Sequence, residues 1–249
     1  MIISHQYRTV FIHIPKCAGT SMRNMLTNAD PKCFRMWGWR WMDRHQRYGD
    51  SAHMPLIDLP QTEMEAVKNY TTVTLIRDPM TRFLSAFNQH FSQHKYRKKL
   101  SISELLQELT STDIRYNPAY IHFCPQHYFI YIAKKKHVDH VLSMESPDWA
   151  DELRKILIRQ GFPTKALKLP ALNKSNYDHS DEFSDEDLKA FYQLYKRDYE
   201  LLGYEPPLDA EFVLNAGEHS KKEKPFDFSV YDEVNFMAAK FRKFWPNDG

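Results

Sequence analysis

The sequence predicts an α/β fold: a P-loop-like central parallel sheet flanked by helices, with a C-terminal helical extension. Short runs rich in β-branched and aromatic residues recur at residues 8–14, 71–76 and around 138–142. Each is followed, after a brief polar break, by apolar residues at helical spacing. Strands that alternate with helices favour parallel pairing, because the crossover helix returns the chain to the same edge. With 249 residues and 42% hydrophobic content, the chain is long enough for one sizeable core. The expected organisation is one α/β domain over residues 1–207, then a linker and amphipathic helix over 208–249.

The elements follow in order. "RTVFIHI" (8–14) reads as a strand, "PKCAGTS" (15–21) as a loop, and Met22, Met25 and Leu26 as the buried side of a helix. "TTVTLI" (71–76) is a second strand, broken by "RDP"; Phe83, Leu84, Phe87 and Phe91 then mark one helical face. "HVDHVLSME" offers a third strand at Val138 to Leu142, and "SPDWADELRKILIRQGF" starts a helix at Ser-Pro with Leu153, Ile156 and Leu157 inward. Ser184 is a cap-like start for a long helix with Glu186 and Asp187 in its first turn, and Gly203 suits its end. "NAGEHSKKEKP" reads as a surface linker. Beyond it Val230, Val234, Met237, Phe241 and Phe244 form an apolar stripe that would dock on the chain's own core, the alternatives being a homodimer seam or a membrane-surface contact.

A formal charge of +2 is too balanced for a general nucleic-acid binder. There is no transmembrane-length apolar run, and "MIISHQYRTV" lacks the core and cleavage site of a signal peptide, so a soluble, cytoplasmic protein is expected. Cys17, Cys33 and Cys124 are odd in number and far apart, which supports neither a disulfide framework nor a zinc site and fits a reducing compartment. No other cluster has metal-ligand spacing.

Two strand ends are prepared for anions. "PKCAGTS" gathers free backbone N–H groups, a helix N-terminus, a lysine and two hydroxyls around one small space. It is not GxxxxGK[ST], since Lys16 precedes Gly19, which argues against a standard nucleoside triphosphatase. The plainer alternative is a tight turn with an exposed lysine. In "LIRDPMTRFLSAF", Arg77, Arg82 and Ser85 make a second anion site, unless Asp78 is simply a helix cap beside a surface ion pair. Together they suit a ligand with two separate phosphates.

These residues carry a resemblance. "FIHIPKCAGTSMRNML" resembles the 5′-phosphosulfate loop of sulfotransferases that use 3′-phosphoadenosine 5′-phosphosulfate (PAPS), and "LIRDPMTRFLSAF" resembles their 3′-phosphate motif. The carbohydrate-type group that includes heparan sulfate 2-O-sulfotransferase and bacterial relatives is the most similar. The likeness spans roughly residues 8–205 and includes "CPQHYF", "VLSME" and "LPALNKSNY". It implies that Lys16, Ala18, Gly19, Thr20 and Ser21 hold the 5′-phosphosulfate and that Arg77 and Ser85 hold the 3′-phosphate. Asn173, Lys174 and Ser175 resemble the segment that closes over the nucleotide. Lys16 would stabilise the charge that grows on the leaving phosphate. Animal relatives usually work in the Golgi lumen, whereas a bacterial chain would be cytoplasmic.

Transfer to a hydroxyl needs a base that is neutral near pH 7, hence histidine. His53 stands where related carbohydrate enzymes carry theirs, although the second histidine of their segment is Ser51 here. His13 reads as a core residue with a satisfied ring, and His45, His90 and His94 are reserves. Trp37, Trp39 and Trp41, interleaved with Arg35, Arg40, Arg44 and Arg47, could stack on sugar rings and hold anionic groups, or pack one face of a hairpin. The expected activity is sulfuryl transfer from PAPS to an acceptor hydroxyl, carbohydrates included, with adenosine 3′,5′-bisphosphate as product and no metal required. The rival readings are an ATP- and magnesium-dependent small-molecule kinase and a non-catalytic nucleotide-binding module.

Overall fold

A computed structural model describes residues 1–42, 46–93, 100–115, 117, 119–168 and 183–207. The expected C-terminal helix over 208–249, with its stripe from Val230 to Phe244, lies outside the described residues.

The chain opens with β1 (Ile2–Ser4), turns back and runs antiparallel as β2 (Thr9–Ile12). Every residue of β2 is buried, which explains why it reads as a continuous apolar run rather than an alternating one. Helix α1 (Gly19–Ala29) buries Met22, Met25 and Leu26 as their spacing predicts. Next come β3 (Phe34–Arg35) and a hairpin of β4 (Trp39–Met42) and β5 (Arg47–Asp50), followed by helix α2 (Gln61–Asn69). Strand β6 (Thr71–Ile76) matches the predicted bounds. Asp78 caps helix α3 (Pro79–Gln93) through the Thr81 N–H at 2.8 Å. Helix α4 (Ile102–Ser111) starts in a reciprocal Ser101–Glu104 capping box. A small ribbon, β7 (Tyr131–Ile132) with β8 (Lys135–Lys136), precedes β9 (His140–Ser143). Helix α5 spans Trp149–Arg159, so Ser146-Pro147 lies in the turn before it. Helix α6 (Asp185–Leu202) runs from a Ser184–Asp187 capping box to Gly203 in the left-handed region, φ 78°.

The five-stranded sheet has the order β3-β1-β2-β6-β9. Its three-stranded core β2–β6–β9 is parallel, as expected, but β1 and β3 join antiparallel, so the sheet is mixed. The reason is length. Four residues separate β1 from β2, enough for a hairpin turn and far too few for a parallel crossover. One apolar core lies between this sheet and helices α1 and α5, and a second joins α3, α4 and α6 around Phe83, Leu105, Phe191 and Tyr195.

Candidate active site

The parallel core sets the geometry, because open α/β sheets present ligands at the C-terminal ends of their strands. β2 and β6 are paired in register, Ile12 opposite Thr74, so the loops that leave them lie side by side. In the first loop Lys16 and Ala18 have φ of 68° and 54°. Left-handed backbone costs a non-glycine residue about 1–2 kcal/mol. Two such residues within three positions indicate a loop shaped for something other than its own stability. Ala18 leads directly into α1, where its carbonyl accepts from the Met22 N–H at 3.0 Å.

Lys16 is half-buried, and its Nζ donates to Gln89 Oε1 of α3 at 2.5 Å. Burial pulls its pKa down, and the neighbouring Arg77 guanidinium adds to the effect. Arg77 leaves the end of β6. Its backbone is clamped on both sides by the Gln126 amide, which accepts from the Arg77 N–H at 3.0 Å and donates to the Arg77 carbonyl at 2.7 Å. Gln126 is held in turn by the buried Asp198 carboxylate, which takes the Gln126 N–H at 2.7 Å and the His127 Nδ1 at 2.8 Å. Glu145 accepts the Asp78 N–H at 2.9 Å and the Tyr204 hydroxyl at 2.8 Å, fixing the other side of the Arg77 turn.

Arg82 corrects an expectation. It is fully buried and points away from any anion: its guanidinium donates to the carbonyls of His122 (2.9 Å), Phe123 (3.4 Å) and Cys124 (3.0 Å). Position 82 lies on the face of α3 that carries Phe83 and Ala86 into the interior, where a guanidinium survives only by satisfying several oxygens. Ser85 is half-buried on α3, Thr20 exposed and Ser21 half-buried on α1.

A histidine cluster lies beside the loop. His53 is 7% exposed, its ring 4.3 Å from that of His13 and 5.0 Å from that of His122. Its Nε2 faces Asp50 Oδ2 at 3.9 Å, while its buried Nδ1 has no protein partner. Burial drives its pKa down to about 3, assisted by the N-terminal amino group, which donates to the Ala52 carbonyl at 3.2 Å, and opposed by the His13 backbone. His122 falls to about 4 for the same leading reason, with His53 second. Both rings are neutral at pH 7.

His13 directly follows β2 and is half-buried. Its ring lies over Gly19, so close that a β-carbon there would sit 1.6 Å from Nε2. The reserve His90 packs on Tyr120 and Phe123, while His45 and His94, like Asn173, Lys174 and Ser175, lie outside the described residues. Beside His53 lies a small cavity of about 10 Å³, lined by Met42, Gly49, Asp50, Met54, Arg115 and Ile121 among others. Of the three tryptophans, Trp37 is 60% exposed with the Arg23 guanidinium 4.1 Å from its ring centroid, Trp39 is half-buried, and Trp41 is 44% exposed, edge-on to Tyr48.

The model of the sulfotransferase family matches residues 1–205. This chain belongs to the sulfotransferase family. No curated protein and no solved structure matches it. The family makes it a transferase of sulfuryl groups. Among the described residues no helix is long and apolar enough to cross a membrane.

Sequence reasoning missed His122, Gln126, Asp198 and Gln89 as parts of this site. "CPQHYF" stood out as a family-like segment, but nothing in its spacing shows that Gln126 clamps Arg77. Asp198 is one of several charged residues along α6. Its usable signal was position, seven residues after Phe191 and so on the buried face of α6.

Proposed function

We propose that this family member transfers a sulfuryl group from PAPS to an acceptor hydroxyl. The observation that carries the reading is the pairing of Lys16 with Arg77. Two like charges, one of them half-buried with a lowered pKa, are brought together at adjacent parallel strand ends by a strained loop and a clamped turn. Such an arrangement is unfavourable in itself and is offset when an anion binds. A donor with a 5′-phosphosulfate and a 3′-phosphate fits both ends, and when bound it supplies the activated sulfuryl group.

The chain's own residues then have separable tasks. Lys16, with the N–H groups of Ala18, Gly19, Thr20 and Ser21, stabilises negative charge on the leaving phosphate; Arg77 and Ser85 hold the 3′-phosphate. His53 takes the acceptor's proton at Nδ1, the buried lone pair without a partner. Its low pKa in the free protein is a consequence of burial beside cations; negative charge arriving at Lys16 raises it, so the base strengthens when the donor is in place. A carbohydrate is the acceptor class we favour, because exposed Trp37 and Trp41 lie in and beside the hairpin that ends at Asp50 and offer faces for sugar rings.

The test is calorimetric titration with adenosine 3′,5′-bisphosphate beside adenosine 5′-monophosphate and Mg-ATP. Preference for the bisphosphate is expected. Arg77→Ala should lose affinity for the bisphosphate while hardly changing that for the monophosphate, and His53→Ala should keep bisphosphate binding but lose transfer. Preference for Mg-ATP, or no nucleotide binding, would sink the reading.

A further inference from the structure

We propose that Asp50, His53 and His122 form a site for a divalent transition-metal ion of the zinc type. One ligand atom from each of the three side chains lies within 4.8 Å of the others. His53 Nε2 and Asp50 Oδ2 are 3.9 Å apart, about half an ångström wider than two ligands of a tetrahedral ion at the usual ~2.1 Å bond lengths, so the side chains close in by a small rotation when the ion binds. The His53 and His122 rings meet edge-on at 86° with their centroids 5.0 Å apart, so they lie side by side without stacking. Two imidazoles and one carboxylate suit zinc and its neighbours, while magnesium and calcium prefer all-oxygen shells.

The donors are held in advance by bonds that leave their ligand atoms available. Asp50 spends Oδ1 on the Ala52 N–H at 2.9 Å, which turns Oδ2 toward the ring. His53 ends the short 3-10 turn that Asp50 caps. The backbone of His122 is fixed by Arg82, whose Nη1 donates to its carbonyl at 2.9 Å. His13 is excluded from the set because its Nε2 is directed at Gly19. Three protein ligands leave a fourth position for water or an anion.

Occupancy has a chemical consequence. A neutral imidazole that ligates through Nε2 carries its proton on Nδ1, so Nδ1 changes from acceptor to donor. Zinc therefore switches off the lone pair to which proton abstraction is assigned above. This inhibition rests on that reading, whereas metal binding does not.

The experiment is a zinc titration of the full chain, without donor or acceptor, against a chromophoric chelator. One equivalent should bind, and His122→Ala and Asp50→Asn should each weaken it at least tenfold, with His5→Ala, an exposed site, unchanged. Cobalt(II) alone should give visible ligand-field absorption in the parent that His122→Ala abolishes. His122→Gln, checked for folding by circular dichroism, serves if the alanine variant does not fold. Failure of the parent to take up one equivalent, or equal affinity in parent and His122 variants, would overturn the site. Zinc binding without bisphosphate binding would sink the proposed transferase chemistry and leave the metal site standing.

Discussion

Gly19→Ala should reverse its effect on stability according to what occupies position 13. Gly19 is the first residue of α1 and its backbone is not in the left-handed region, so alanine there should gain up to about 1 kcal/mol of helix propensity. Against this stands the His13 ring, with Nε2 at 1.6 Å, Cδ2 at 2.1 Å and Cε1 at 2.4 Å from the new β-carbon. The ring must retreat by roughly two ångströms to reach ordinary contact distance, and His53 stands in the way with its centroid only 4.3 Å off. Forcing a packed ring aside typically costs about 1–3 kcal/mol. The net effect in the parent is a loss of up to about 2 kcal/mol; in a His13→Ala background the obstacle is gone and the same substitution should stabilise by up to about 1 kcal/mol. Urea denaturation of the four proteins of this double-mutant cycle reads the coupling directly. An equal effect of Gly19→Ala in both backgrounds would refute the close approach of His13 to the start of α1.

Acidification should destabilise the protein through His53 and His122. Their folded pKa values are lowered to about 3 and about 4, so the unfolded chain takes up protons below pH ~6.5 that the folded chain refuses. The contribution is whole above that pH and is lost as pH falls toward the folded values, about 2 kcal/mol per ring by pH ~5. Urea melts at pH 7.5 and 5 should show a smaller pH-dependent loss in His122→Gln than in the parent; identical losses would contradict it. Arg82→Ala removes the donor for the carbonyls of His122, Phe123 and Cys124 and leaves a buried void. A loss of about 3 kcal/mol or more is expected in thermal or chemical denaturation, and one below about 1 kcal/mol would mean that those carbonyls find other donors.

What was legible in the sequence is what local chemistry decides. β6 and the buried faces of α1, α3, α5 and α6 could be read because their apolar spacing is long and regular, and Asp78 because a cap acts within its own turn. α4 also carried its signal, a Ser101–Glu104 capping box with Ile102, Leu105, Leu106 and Leu109 behind it, obscured by the basic run before it. β1 and β3 were invisible because strands of three and two residues are too short to show a period. In the site, Lys16 and Arg77 were readable because each sits at the end of a recognisable strand. His122 and Asp198 were not, because they reach the site by long-range packing, and no spacing along the chain records which residues pair across 69 positions (His53 with His122) or 72 (Gln126 with Asp198).

Arg82 shows how a misread residue can matter more for the site than the assigned one would have. By sequence it looked like a second anion ligand five residues after Arg77. Buried, it cannot meet a solvent-borne phosphate, yet it joins α3 to the backbone of residues 122–124. That segment places His122 against His53 and runs on into Gln126, the clamp on Arg77. One guanidinium therefore fixes, through backbone alone, both the histidine cluster and the support of the neighbouring arginine. The consequence is that Arg82→Lys, which keeps the charge but has one ammonium in place of a planar fork, cannot reach the same set of carbonyls. It should disturb bisphosphate affinity and the His53–His122 contact together. Histidine ring NMR shifts and calorimetry on that variant would show the two effects together, and a change in one without the other would break the link.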